Sequence, residues 1–199
     1  MLEKIIPGQN PNTPQNWDAR WQRIGLHQLQ DEWVIDRLEK VASLIPPHVE
    51  VIDLACGAGI IQRYLPIGTQ YTPVDFSQEA LNLAGGHGIL APCTSVPAGP
   101  KEYHTALAME ILEHLDQPED LIHQAMALAN TQCIFTVPNN RLSPKEFPYH
   151  RRTYTEQSLM ELLTPFTLPQ TAQFSPYGPF TTLTIFHTTA NLIAQCTIL

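Results

Sequence analysis

Short apolar runs alternate with stretches of helical periodicity along most of the chain. Buried strands are typical of such runs, whereas apolar residues three and four positions apart are typical of helices. The pattern predicts strands at residues 50–54, 70–74, 88–91, 104–108 and 132–137, and helices at 59–65, 77–84, 118–129 and 155–164. This alternation favours an α/β fold in which helices cover both faces of a mostly parallel sheet.

The N-terminal part departs from this alternation. Residues 7–16 are rich in Pro and Asn, which predicts an irregular lead. Residues 17–44 carry apolar side chains at helical intervals, which predicts two helices broken near Gly25. Three tryptophans in this region form either a lid over a ligand or part of the core: Trp17, Trp21 and Trp33. We therefore expect a helical lead or lid over residues 1–45 and a single globular unit over residues 46–199.

The C-terminal part also differs from the rest. Residues 171–176 and 181–188 are rich in Thr and Phe and are joined through the segment 176–179, which contains two prolines and a glycine. Runs of this kind predict an antiparallel hairpin at the edge of the sheet. The hairpin would be the last element along the chain.

Composition narrows the class of protein. The 199 residues suit one domain with a sizeable core. The formal net charge of −8 argues against DNA as a partner, because a phosphate-backbone footprint needs a surplus of Lys and Arg. The four cysteines form no C-x-x-C pair, and the start has no signal-peptide pattern, so we expect reduced thiols, a cytoplasmic location and no membrane insertion. The chain leaves open whether it is a monomer or a homodimer.

The most informative segment is Val51–Ile60, in which an apolar strand ends and a Gly/Ala-rich turn begins. Small residues at a strand end let the backbone approach a ligand closely. The dinucleotide fingerprint G-x-G-x-x-G is excluded, because Gln62 occupies the position of its last glycine, and the phosphate loop ending in Gly-Lys-Ser or Gly-Lys-Thr does not occur in the chain. About twenty residues later, Asp75 ends a second apolar run, where a carboxylate can accept both hydroxyls of a ribose.

Together these segments resemble the class I S-adenosylmethionine (SAM) dependent methyltransferases. Residues 53–59 resemble their first motif, residues 106–115 their fourth strand with a Leu-Glu-His turn, and residues 133–139 their fifth strand with a Pro-Asn ending. The resemblance covers about residues 48–187. It implies a Rossmann-like sheet of seven strands with a C-terminal antiparallel hairpin, with SAM as the cofactor and S-adenosylhomocysteine (SAH) as its product.

The resemblance also implies which residues bind the cofactor. Asp53 would organise the loop and the methionine amino group, and Asp75 would clamp the ribose. The further residues expected around SAM are Ala55, Cys56, Gly57, Gly59, Phe76, Thr94, Ser95, Met109 and Glu110. Two positions depart from the family pattern: residues 91–97 contain no acid for the adenine amino group, and Tyr103-His104 replaces the usual Phe-Asp pair.

The stretch after the predicted fourth strand contains candidate metal ligands and a candidate general base. If this turn is helical, the spacing of Glu110, Glu113 and His114 places all three on one face, where they could bind Mg²⁺ or Mn²⁺ with His150 as a distant fourth ligand. We expect no metal, and we keep this set as the alternative. His114 is the first candidate for a general base because an imidazole accepts a proton near neutral pH, and His150 is the second.

Residues after the predicted fifth strand are expected to form the acceptor wall. The candidates for acceptor binding are Asn139, Asn140, Tyr149, Arg151 and Arg152. Arg forks match anionic groups, although a solvated basic loop is the alternative.

The leading hypothesis is a SAM-dependent methyltransferase that transfers a methyl group to a small-molecule acceptor at oxygen. Two alternatives remain open. One is a methyltransferase-like module without activity, suggested by Ala55, Pro92 and Tyr103-His104. The other is a metal-assisted 2'-O-methyltransferase of RNA ends.

Overall fold

The structure is a computed structural model, and it describes residues 10–26, 31–97, 99–167 and 179–198. Its helices are α1 (Pro14–Ile24), α2 (Glu32–Ser43), α3 (Gln78–Leu83), α4 (Pro118–Leu128) and α5 (Glu156–Leu163). Its strands are β1 (Glu50–Leu54), β2 (Gln70–Asp75), β3 (Ile89–Leu90), β4 (Tyr103–Met109), β5 (Ala129–Pro138), β6 (Phe180–His187) and β7 (Asn191–Ile198). Short 3-10 turns lie at Ile60–Arg63, Leu112–His114 and Thr164–Phe166.

The described strands form one mixed sheet in the order β3-β2-β1-β4-β5-β7-β6. Strands β1 to β5 run parallel to one another, whereas β7 is antiparallel to both β5 and β6. The predicted Rossmann-like sheet with a C-terminal antiparallel hairpin is confirmed. The chain moves outward from β1 to β3 and then returns to place β4 on the other side of β1. Ligands bind at such switch points, at the carboxyl ends of the strands.

Two apolar layers hold the helices on the sheet. On one face, Val34, Leu38 and Val41 of α2 pack against Val51 and Leu107 of the sheet. On the other face, α4 and α5 contribute apolar side chains that are fully buried against the sheet, namely Leu121, Ile122, Met126, Leu159 and Leu163. Since both faces of the central strands are covered, most of their side chains are buried, as expected for a parallel sheet.

The position of the C-terminal hairpin corrects our expectation. Strand β6 matches the predicted strand at 181–188, but its partner is β7, which follows it in the chain. The turn lies between them, where the Thr188 N–H donates to the Asn191 carbonyl oxygen at 3.0 Å. The predicted strand at 171–176 lies outside the described residues. Alternation did not indicate β7 because nearly every position of this strand is buried.

Two shorter elements also differ from the prediction. The helix predicted at 59–65 is only a 3-10 turn, because Gly59 enters it with a left-handed φ of 63° and Pro66 follows it. Helix α1 starts within the predicted irregular lead, where the Thr13 hydroxyl accepts a hydrogen bond from the Asn16 N–H. The predicted break at Gly25 is confirmed, since this residue ends α1. Within the described ranges, no helix has both the length and the apolar composition needed to cross a bilayer.

Candidate active site

The loop after β1 is shaped by three residues with positive φ. Ala55, Gly57 and Gly59 have φ angles of 64°, 54° and 63°. The loop is tied to the neighbouring strand by the Cys56 N–H, which donates to the Val74 carbonyl oxygen at 2.9 Å. Ala55 adopts this conformation at a cost, because left-handed backbone is unfavourable for residues with a Cβ. The result is a tight turn at the switch point, as the glycine pattern predicted.

Asp75 ends β2 and holds this loop from the side. Its Oδ2 accepts a hydrogen bond from the Gly57 N–H, and its Oδ1 accepts one from the Ser77 N–H, both at 2.9 Å. Burial raises the pKa of this carboxyl to about 6, while these backbone donors act in the opposite direction. The side chain lines the cavity described below, which is the position expected of a ribose clamp.

Asp53 lies beneath the loop rather than in the cavity wall. Its Oδ2 accepts a hydrogen bond of 2.7 Å from the Tyr71 hydroxyl, and the side chain is fully buried. Its Oδ1 has no hydrogen-bond partner among the described residues. Burial raises the pKa of this carboxyl to about 7. The hydrogen bond from Tyr71 joins the end of β1 to β2 beside the loop, and the expected role of Asp53 toward the methionine amino group stays a prediction.

Helix α1 closes the site from above. The Trp21 ring lies directly over the loop, so a Cβ at Gly57 would come within 2.8 Å of it. Toward the other end of the lead, the Asn12 side-chain amide donates to the backbone oxygens of His114 and Tyr149, at 3.0 and 2.9 Å. The segment 10–24 therefore spans the site from the cofactor loop to the acceptor wall.

One cavity of about 770 Å³ runs beneath this segment. A volume of this size is ordinary for a small-molecule site. Its walls include these expected site residues: Ala55, Cys56, Gly57, Asp75, Phe76, Thr94, Met109, Glu110, His114 and His150. Trp17, Trp21 and Trp33 also line it, so the lid alternative for the tryptophans agrees with their position.

Arg37 is a site residue that sequence reasoning missed. It is 8 % exposed, lines the cavity, and lies 3.1 Å from Oε2 of Glu110. Its Nη1 is the atom of this ion pair, and its Nε has no hydrogen-bond partner among the described residues. The available signal was an arginine on the apolar face of a helix, between Val34 and Leu38. A buried guanidinium with an unused donor is suited to an anionic ligand group.

Glu110 does not join Glu113 and His114 on a helical face, which corrects our expectation. The turn is a 3-10 turn that begins at Leu112, and Glu110 precedes it with a φ of 52°. Its carboxylate accepts hydrogen bonds from the Thr136 hydroxyl and the Asn191 amide, both at 2.9 Å, and it faces Arg37. Burial raises its pKa, and the Arg37 charge opposes this.

In the structure, His150 rather than Glu110 lies beside Glu113 and His114. Ligand atoms of Glu113, His114 and His150 lie within 4.8 Å of one another, and all three residues are buried. Oε1 of Glu113 is 3.9 Å from Nε2 of His114 and 4.0 Å from Nε2 of His150. Neither carboxylate oxygen of Glu113 has a hydrogen-bond partner among the described residues. The turn after β4 and the loop after β5 thus place one carboxyl between two imidazoles.

Hydrogen bonds to carbonyl groups indicate the tautomers of both histidines. Nδ1 of His114 lies 3.1 Å from the Tyr149 carbonyl oxygen, and Nδ1 of His150 lies against that of Leu142. Since a carbonyl oxygen only accepts, each Nδ1 carries the proton, and each Nε2 has a free lone pair. Burial lowers the pKa of His114 to about 3 and lowers that of His150 as well. It raises the pKa of Glu113 well above its ordinary value.

The arginines of the predicted acceptor wall are used elsewhere. Arg151 Nε donates to Asp116 Oδ1 at 2.7 Å, and Arg152 donates to the backbone oxygens of Leu115 and Asp116 at 3.1 and 2.8 Å. Their side chains tie the loop after β5 to the turn after β4, which is why neither lines the cavity. Tyr149 is buried beneath Trp17, with ring centroids 5.2 Å apart, so it supports the wall from behind.

Four further predicted residues also lie outside the cavity that the described residues outline. One is Gly59, which enters the 3-10 turn at Ile60–Arg63. Ser95 is exposed, and its N–H donates to the Pro92 carbonyl oxygen. Asn139 and Asn140 are held at the end of β5, where their N–H groups donate to the carbonyl oxygens of Ala190 and Tyr154. Of the two predicted adenine contacts, Thr94 alone lines the cavity.

Comparison with known proteins agrees with this geometry. The Methyltransferase domain family matches residues 26–177, which is most of the chain. The chain belongs to this family. The resemblance to class I SAM-dependent methyltransferases is thereby confirmed, and SAM is the cofactor of the superfamily.

One relative is the ubiquinone biosynthesis O-methyltransferase of Pseudoalteromonas translucida, which is 29% identical over 144 residues, or 67% of this chain. The chain spans 60% of the length of that relative. Two solved structures have the same fold at much lower identity. A magnesium protoporphyrin IX methyltransferase from Synechocystis, with bound SAM, has 13% identity and a TM-score of 0.64 over 99% of this chain and 100% of its own. A 4+2 cyclase has 12% identity and a TM-score of 0.69 over 94% and 96%.

Proposed function

We propose that this protein transfers the methyl group of SAM to a hydroxyl oxygen of a small, ring-containing acceptor. One observation carries the proposal: a single covered cavity extends from the glycine loop to the cluster of Glu113, His114 and His150. A methyl donor and an acceptor can therefore be held next to each other in one cavity. Proximity and orientation are the main contributions to methyl transfer under this proposal.

The cofactor end fits SAM in its charge pattern. Arg37 would bind the methionine carboxylate, because its guanidinium is buried in the cavity wall and its Nε donor is unused. Asp75 would accept the ribose hydroxyls, and the Gly57 backbone would lie against the cofactor. Phe76 and Thr94 would contact the adenine ring. SAM supplies an electrophilic methyl group on a sulfonium, and these side chains bind and orient it.

The acceptor end favours a ring with a hydroxyl group. Trp17 and Phe147 give it aromatic walls, which suit a flat apolar body. The free Nε2 lone pairs of His114 and His150 are hydrogen-bond acceptors, and they would orient a hydroxyl and receive its proton as the methyl group is transferred. The name of the Pseudoalteromonas relative, a ubiquinone biosynthesis O-methyltransferase, supports an oxygen acceptor.

Calorimetric titration with SAM and SAH tests the cofactor half. The wild-type protein is expected to bind both in the micromolar range, and Asp75→Ala is expected to weaken binding at least tenfold, since it removes a charged acceptor from the ribose. Glu39→Ala, an exposed acid of α2, is the matched control. A wild-type protein that binds neither ligand would refute the enzyme and favour a module without cofactor.

A second reading of the same site uses a divalent cation in the methyl transfer. The fit rests on Glu113, whose two buried oxygens have no hydrogen-bond partner among the described residues and face two imidazole lone pairs. A cation bound there would be held by Glu113, His114 and His150 and would lower the pKa of an acceptor hydroxyl. Glu113 kept in its protonated form explains the same geometry without metal.

Chelation distinguishes these two readings. A cation requirement predicts that EDTA abolishes methyl transfer to a catechol, that Mg²⁺ or Mn²⁺ restores it, and that Glu113→Gln cannot be restored. Glu119→Gln is the control, because it changes an exposed acid in the first turn of α4. Activity that EDTA leaves unchanged would exclude the cation and retain the protonated Glu113.

A further inference from the structure

The Asp18 side chain joins helix α1 to the start of α3, next to the proposed ribose clamp. Oδ1 of Asp18 accepts a hydrogen bond of 2.6 Å from the Ser77 hydroxyl and one of 3.1 Å from the Glu79 N–H. Both donors lie at the start of α3, which packs against α1. Asp18 therefore joins helix α1 to Ser77, which lies two residues after the proposed ribose clamp Asp75.

Ser77 continues this connection to the ribose clamp. Its N–H donates to Oδ1 of Asp75 at 2.9 Å, and its hydroxyl oxygen also accepts from the Ala80 N–H at 3.2 Å. Oδ2 of Asp75 in turn accepts from the Gly57 N–H at 2.9 Å. A continuous chain of hydrogen bonds thus runs from Asp18 through Ser77 and Asp75 to the glycine loop. Ser77 is fully buried, so water does not compete for these bonds.

We infer that Asp18 is a positioning residue for the cofactor, which acts through Ser77 to hold Asp75 in its ribose-binding orientation. The inference rests on the proposed SAM site. The new element is that helix α1 forms part of that site. Trp21, one turn after Asp18, reinforces the connection, because its ring lies against Gly57 at the other end of the chain of hydrogen bonds. Thermodynamic linkage then requires two equal free energies. The amount by which bound cofactor stabilises the docking of α1 equals the amount by which docked α1 strengthens cofactor binding.

Adenosine and SAH are the probes, because adenosine reaches the clamp without the methionine group. Asp18→Ala is expected to weaken binding of both ligands by a similar factor of about ten, the effect of losing a charged hydrogen-bond acceptor. Asp18→Asn keeps an acceptor oxygen and is expected to recover most of the loss. Gln22→Ala is the matched control: Gln22 donates to the Glu79 side chain at 2.9 Å, so it joins α1 to α3 without reaching Asp75.

A second measurement separates positioning from simple docking of the helix. Saturating SAH is expected to slow amide exchange over residues 14–24 in the wild-type protein and much less in Asp18→Ala. In a Ser77→Ala background, Asp18→Ala is expected to lose most of its effect on adenosine binding, since the connection is already broken.

Three results would overturn the inference: an Asp18→Ala protein that binds adenosine as tightly as wild type, a Gln22→Ala protein that loses as much, or additive effects of Asp18→Ala and Ser77→Ala. If Asp18→Ala does not fold, Ser77→Ala breaks the same hydrogen bond from the other side, and adenosine binding as tight as that of the wild type would overturn the inference. A wild-type protein that binds no SAH would instead refute the proposed function, so the two failures are distinguishable.

Discussion

Replacing Asp53 by Asn is expected to stabilise the ligand-free protein at pH 8 while it weakens cofactor binding. The carboxyl is fully buried beneath the loop, and Oδ1 has no partner among the described residues. The bond from the Tyr71 hydroxyl to Oδ2 lowers its pKa less than burial raises it. An amide keeps an acceptor for Tyr71 and carries no charge, so the energetic cost of ionisation disappears.

The magnitude follows from the pKa of this carboxyl, which burial raises from 3.8 to about 7. The folded protein therefore binds this proton more tightly than the unfolded chain, and stability falls as pH rises from about 3.8 to about 7 and is constant above. At about 1.4 kcal/mol per pH unit, the cost at pH 8 is about 4 kcal/mol, of which about 2.5 kcal/mol arises between pH 5 and pH 8. This is an upper bound, because relaxation around a buried charge reduces it.

Urea unfolding at pH 5 and pH 8 measures the effect. Asp53→Asn is expected to be more stable than wild type at pH 8 by one to a few kcal/mol, with a smaller gain at pH 5, and to bind SAH more weakly. Asp36→Asn is a control of opposite sign, since hydrogen bonds from Thr189 lower the pKa of Asp36 and make its carboxylate stabilising. A variant that is less stable than wild type at pH 8, or that shows the wild-type dependence on pH, would refute the reasoning.

Three further predictions concern the cavity. Arg37→Met is expected to weaken SAH binding about a hundredfold, whereas Lys40→Met on the same helix leaves it unchanged; equal losses in calorimetry would contradict the carboxylate contact. Gly57→Ala is expected to lower the melting temperature by several degrees and weaken SAH binding, because its Cβ would meet the Trp21 ring at 2.8 Å with φ at 54°. With its pKa near 3, His114 is neutral above pH 5, so the rate at saturating SAM is expected to show no acid limb near pH 6.5; a limb there that His114→Gln removes would contradict this.

Local patterns were sufficient for the cofactor loop. Each of its features depends on residues next to one another in the chain: an apolar strand, a turn of small residues, and a second strand that ends in Asp75. Such segments adopt the same local geometry wherever they occur in this fold, so their positions at the strand ends followed from the sequence. The same holds for the break at Gly25.

The acceptor end could not be predicted in this way. Arg151 and Arg152 have the chemistry of anion binding, yet the fold directs both to the Leu115–Asp116 turn. Glu110 is three residues from Glu113, but its left-handed backbone turns it toward Arg37. Spacing along a chain indicates which face a side chain occupies only if the segment is regular, and this one is not.

The fold class followed from the sequence, because strand periodicity and turn chemistry are local properties. The family and the cofactor followed from the resemblance of its motifs to those of the class I SAM-dependent methyltransferases. Which distant residues meet became visible in the three-dimensional structure. It brought His150 to Glu113 and His114, placed Arg37 of α2 opposite Glu110, and laid Asp18 of α1 on Ser77. These contacts depend on how helices and loops pack around the sheet, and packing is set by the whole core rather than by any one segment.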